Sequence, residues 1–80
     1  MDYDENKIDE VVLALMYLTL HDEVWAWKGF DFRVLDRLHE KGFIHDPKNK
    51  ARSVALTDEG LARSEELFEK HFAHRQSKAS

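Results

Sequence analysis

Residues 41–60 read KGFIHDPKNKARSVALTDEG, and the order of signals along them decides the fold. Gly42 sits where a helix C′ residue belongs, with Phe43 placed to fold back onto the last helical turn. An apolar strand is expected over residues 43–46 and a second over 52–56, with Pro47 and Asn49 supplying the turn between them. Val54 and Leu56 would point one way and Ser53 and Ala55 the other. Thr57 is a cap for a following helix, with Asp58 and Glu59 in the first turn, where anions are favoured.

Working outward, a helix precedes this stretch over residues 31–41. Asp31 is its N-cap, and Phe32, Leu35 and Leu38, broadened by Val34, form its inward face. The helix that follows Thr57 has a buried stripe of Leu61, Phe68 and Phe72 with Leu67 beside it. Its outer face carries the pairs Glu59 with Arg63 and Glu66 with Lys70. A first helix should run from about Asp4, with Asp2 or Asp4 as cap, to Leu20 or His21. Ile8, Val12, Leu15 and Thr19 form its core stripe, widened by Val11, Met16 and Leu18, while Leu13, Tyr17 and Leu20 lie toward the opposite side. Residues 21–30, HDEVWAWKGF, show no clean period and would hold one helical turn or a short strand.

Eighty residues make one small domain, expected over 1–75 with a disordered tail at 76–80. Its 42% hydrophobic and 35% charged residues fit a folded chain. The absence of cysteine excludes disulfides and thiolate chemistry. The acidic opening MDYDENKIDE is unlike a leader, and the longest apolar run, 11–20, is about half what a bilayer needs, so a cytoplasmic location away from membranes is expected. A net charge of −4 is not the basic balance through which nucleic-acid binders gain affinity.

The segments VLDRLHEKGFIHD and SVALTDEGLARSEELFE, separated by a basic turn, resemble the winged-helix domains of MarR- and PadR-type bacterial regulators. Leu35, Leu38, Gly42, Ile44, Leu56, Thr57 and Gly60 carry the likeness. The whole chain also resembles a family of small bacterial proteins of unknown function, through YLTLHD, AWKGFD and VLDRLHEKG. The first resemblance implies an α+β winged helix, three main helices with a small antiparallel β-hairpin wing, and a short strand from VWAW would be free to join that wing. It also implies a dimer. One element is short: only DEVWAWKGF separates the first helix from the Asp31 helix, so the positioning helix of a helix-turn-helix is reduced or absent.

Two functions compete. As a DNA-binding regulator, the chain would set Lys48, Lys50 and Arg52 of the wing on the phosphates of double-stranded DNA, with Arg33, Arg37 and Lys41 as a stripe along the Asp31 helix. Asp36 and Glu40 beside that stripe argue for a compensated, solvated face instead. As a protein-interaction module, it would use Leu13, Tyr17 and Leu20 for a homodimer and the region of Trp25 and Trp27 for a partner. Such rings more often close a small core, leaving at most one at the surface. The five histidines, including His71 and His74, give no metal-binding spacing, and no nucleophile, phosphate-loop or cofactor motif is present, so neither enzyme nor cofactor is expected. A continuous positive face would favour the first function and an exposed apolar patch the second.

Overall fold

The computed structural model describes residues 2–73, in the order α1 (Glu5–Leu18), β1 (Trp25–Trp27), α2 (Phe32–Glu40), β2 (Ser53–Ala55) and α3 (Asp58–Phe72). The expected tail at 76–80, and His74, lie outside the described residues. Three helices and a two-stranded antiparallel sheet make an α+β fold compatible with a winged helix. No helix stands between β1 and α2, so the positioning element of a helix-turn-helix is missing.

Each helix starts on a side-chain cap. Asp4 accepts the Lys7 amide at 3.0 Å, Asp31 that of Arg33 at 2.8 Å, and Thr57 that of Gly60 at 3.0 Å. The Thr57 hydroxyl also donates to the Gly42 carbonyl at 2.6 Å, while the Thr57 amide donates to the Phe43 carbonyl at 3.0 Å. Gly42 ends α2 at φ +84°, and Gly60 lets α3 lie against the Phe43 carbonyl, where a β-carbon would be only 1.8 Å from the oxygen. The Gly42, Thr57 and Gly60 pattern is therefore a clasp joining the end of α2 to the start of α3.

The sheet differs from the expected hairpin. β2 pairs with β1 in the register Trp25↔Ala55, Ala26↔Val54 and Trp27↔Ser53. The strand expected over 43–46 contracts to one bridge, Ile44↔Leu56, with the His45 amide bonded to the Ala55 carbonyl. VWAW thus supplies the main partner of β2, and Pro47, which has no amide to donate, ends the second pairing early. The other edge of β1 is closed by His21, which exchanges both backbone bonds with Trp25, and by the Thr19 hydroxyl, which accepts the Trp27 amide at 3.0 Å.

The core forms where α1 meets α3, with α2 and the inner face of the sheet closing it. The buried stripe of α1 is Asp9, Val12, Leu13 and Met16, rotated from the expected one. Leu13 is 1% exposed, Tyr17 packs at a tilt against Phe68 with ring centroids 5.3 Å apart, and Leu20 packs against the core, whereas Ile8 and Leu18 are exposed. A helix apolar on most sides has no single period to fix its orientation, so its partners decide. On α3 the buried line is Gly60, Ser64 and Leu67, which leaves Phe72 exposed one position off the stripe. Phe32 likewise flanks the α2 stripe and is half exposed.

Candidate functional site

The α2 cations are committed to an internal contact. The Arg37 guanidinium holds both Asp9 oxygens, with its Nε 2.9 Å and Nη2 2.8 Å away, and Lys41 Nζ reaches the same carboxylate at 2.9 Å. Asp9 is buried, and its four polar contacts pin α1 to α2. Burial pushes the Asp9 carboxyl up, but the hydrogen bonds from Arg37 and Lys41, followed by their charges, outweigh it and leave it below its ordinary value. Arg37 and Lys41 therefore do not form the open phosphate stripe expected of them. Arg33 stays exposed, paired with Asp31 at 3.3 Å.

A second acidic residue, Glu10, ties α1 to α3. It lies 3.3 Å from His71, 3.8 Å from Lys70 and 3.8 Å from Arg63. Neither pair expected along α3 forms: Lys70 turns to Glu10 across the helix interface, and Arg63 divides between Glu10 and, within α3, Glu66. The hydrogen bond from His71 holds the Glu10 carboxyl below its ordinary value, against a smaller burial effect.

The basic turn is fixed from beneath by a residue the sequence did not single out. Lys28 Nζ donates to the Pro47 carbonyl at 2.6 Å, the Asn49 carbonyl at 3.0 Å and the Asn49 side-chain oxygen at 2.8 Å. Asn49 Oδ1 also accepts the Ala51 amide, and Asp46 accepts the Lys48 amide. Lys48, Lys50 and Arg52 project into solvent, and none takes part in an ion pair among the described residues. No local pattern marks Lys28, because its partners lie about twenty residues along the chain.

The outer face of the sheet carries the aromatics. Trp25 and Trp27 alternate with buried Ala26, so both rings stand on the solvent side, 38% and 47% exposed, and neither closes the core. The His21 ring lies 5.8 Å from that of Trp27, and its Nε2 is 3.4 Å from the Ser53 hydroxyl. β2 presents only Ser53 and Ala55 opposite the tryptophans, and both rings keep a solvent-facing part, with the His21 imidazole beside Trp27. Among the described residues no three His, Asp or Glu side chains gather as metal ligands, and no helix is long and apolar enough to cross a membrane.

The sheet therefore offers an aromatic platform, the turn an anchored cationic loop, and α2 a face whose cations are mostly spent internally. Residues 4–74 match the family described as a domain of unknown function, DUF6429. The uncharacterised protein y4hR of Sinorhizobium fredii (strain NBRC 101917 / NGR234) is 64% identical over 72 residues, covering 90% of this chain and 97% of the relative. No solved structure matches.

Proposed function

The chain belongs to the DUF6429 domain family, and we propose that it is a non-enzymatic protein-interaction module on a winged-helix-like frame, docking a partner polypeptide on the outer face of its sheet. The observation that carries this reading is the pair Trp25 and Trp27, both exposed on one strand whose two edges are already occupied. Because those edges are bonded, recognition works through side chains and not through an added strand. Tryptophan is the residue type that most often dominates binding energy at protein interfaces. Commitment of Arg37 and Lys41 to Asp9 removes most of the helix contribution to a DNA-binding face.

A second reading keeps one specific observation in its favour. Lys48, Lys50 and Arg52 stand on an anchored loop, as they would in a DNA-binding wing of the MarR and PadR type. Capture of partners on the wild-type chain and on a Trp25→Ser/Trp27→Ser double variant separates the two. The interaction reading expects a polypeptide retained by the first and lost by the second, or a homodimer that dissociates on the same change. Retention unaffected by the tryptophans, together with salt-steep binding to a random duplex that Lys48→Glu with Lys50→Glu abolishes, overturns it in favour of DNA.

A further inference from the structure

On the other side of the basic loop, a groove of about 550 Å³ runs between residues 47–50 and the first turn of α2. Buried Leu35 and Pro47 and partly buried Phe30 line it with half-exposed Phe32, while Lys48 and Lys50 stand over it. Lys28 adds a third ammonium group, held by carbonyl oxygens alone. No acidic side chain lines the groove, although acidic residues outnumber basic ones 16 to 12 in the chain. Of the carboxylates adjacent in sequence to its lining residues, Asp31 pairs with Arg33 and Asp46 accepts the Lys48 amide.

The geometry points to a docking groove for an acidic peptide segment that inserts one apolar side chain. The apolar floor formed by Phe30, Phe32, Leu35 and Pro47 takes the anchor, and Lys48 and Lys50 take carboxylates on either side of it. Charge complementarity selects this occupant: three lysines and, among the described residues, no carboxylate line the groove on a chain whose net charge is −4, so an acidic segment is steered to this place. The Lys28 clamp holds the loop in position before binding, which lowers the ordering cost. A single-stranded nucleic acid would also meet the lysines, but it gains most from several stacking rings, and only Phe32 and Phe30 are here. This inference deepens the protein-interaction reading but uses a different surface, so the two can fail separately.

The test selects a display library of random dodecapeptides on the full chain, then measures the enriched peptides by fluorescence anisotropy, with oligo-dT as a parallel probe. Enriched peptides are expected to be acidic around one apolar residue. They should bind the Trp25→Ser/Trp27→Ser variant unchanged and the Lys48→Glu/Lys50→Glu variant about tenfold more weakly or worse. Phe32→Ala should weaken peptides carrying the anchor and leave anchor-to-glycine versions unaffected. Enrichment of neutral or basic peptides, no enrichment, or indifference to Lys48 and Lys50 overturns the proposal. So does oligo-dT binding that needs Phe32 and exceeds any peptide. Peptides lost only with the tryptophans would uphold the sheet-face reading and overturn this one.

Discussion

A β-carbon on Gly60 would stand 1.8 Å from the carbonyl oxygen of Phe43. That oxygen is backbone, already accepts the Thr57 amide, and has nowhere to retreat. Gly60→Ala must therefore push α3 off the clasp, at a cost of about 3 kcal/mol or more. Gly42→Ala meets only the Glu59 carboxylate, 3.9 Å away, so it bears the positive-φ penalty of roughly 1 kcal/mol. Urea midpoints should rank wild type, Gly42→Ala and Gly60→Ala in falling order. Equal losses would show that the two glycines answer a common backbone requirement.

Asp9 is the buried charge on which the packing of α1 against α2 depends. Asp9→Asn leaves Arg37 and Lys41 facing a neutral amide, and about 2–3 kcal/mol of stability should be lost, limited because both cations can still reach water. Asp9→Leu combined with Arg37→Met should recover most of that loss, since an apolar pair of suitable volume needs no charge compensation. Thermal melts of the two variants check this. A combined variant no better than Asp9→Asn would mean that the ion pair sets the helix geometry as well as its energy.

This same contact marks where the sequence stopped being readable. Caps and the helix-ending glycine act within a few residues, so Asp31, Gly42 and Thr57 lie where local chemistry puts them. The clasp itself, Thr57 on Gly42 and Gly60 against Phe43, joins residues more than a dozen apart, and only the winged-helix likeness of the Gly42, Thr57 and Gly60 pattern pointed to it. The orientation of α1 is a tertiary property. Asp9 shares a stripe with Leu13 and Met16, yet a carboxylate looks like a solvent position until Arg37 and Lys41, about thirty residues on, are known to meet it. The Arg33, Arg37 and Lys41 spacing was legible, but not that two of the three turn inward. Trp25 and Trp27 were equally ambiguous, since alternation in one short strand does not say which face of the sheet is covered. The Lys28 clamp joins segments about twenty residues apart and leaves no local trace.

Acid should loosen both helix interfaces together. The carboxyls of Asp9 and Glu10 titrate below their ordinary values in the folded chain. Their contribution is complete above the unfolded pKa, near pH 4, and is lost as pH falls through the folded values below that. Stability should therefore be flat with respect to these groups above about pH 5 and drop steeply below pH 4. In Asp9→Asn the drop should be shallower, as urea midpoints across that range would report. An unchanged slope would remove Asp9 from the acid response.

The turn between α1 and β1 carries backbone strain that can be relieved. Asp22 and Glu23 adopt φ values of 47° and 74°, and the Glu23 side chain is exposed. Aspartate tolerates the left-handed region better than glutamate does. Glu23→Gly should therefore stabilise the chain by about 0.5 kcal/mol, the strain released exceeding the flexibility added to the unfolded state. A lowered melting temperature would mean that flexibility outweighs strain at this turn.

Lys28 organises the basic loop, so removing its charge should free the loop without unfolding the domain. Lys28→Met keeps an unbranched apolar stem but deletes three hydrogen bonds to Pro47 and Asn49. The bonds are partly exposed and outside the core, so global stability should fall by no more than about 1 kcal/mol. Locally the effect is larger. The Asn49 amide, bonded to the Pro47 carbonyl, and the Ala51 amide, bonded to Asn49 Oδ1, should exchange with solvent many times faster. Amides in the cross-strand ladder, such as Leu56 on the Val24 carbonyl, should keep their protection. Hydrogen exchange followed by NMR separates these classes. Faster exchange throughout the sheet would mean that the loop and the strands open as one unit, in which case the loop is held by the pairing of β1 with β2 more than by Lys28.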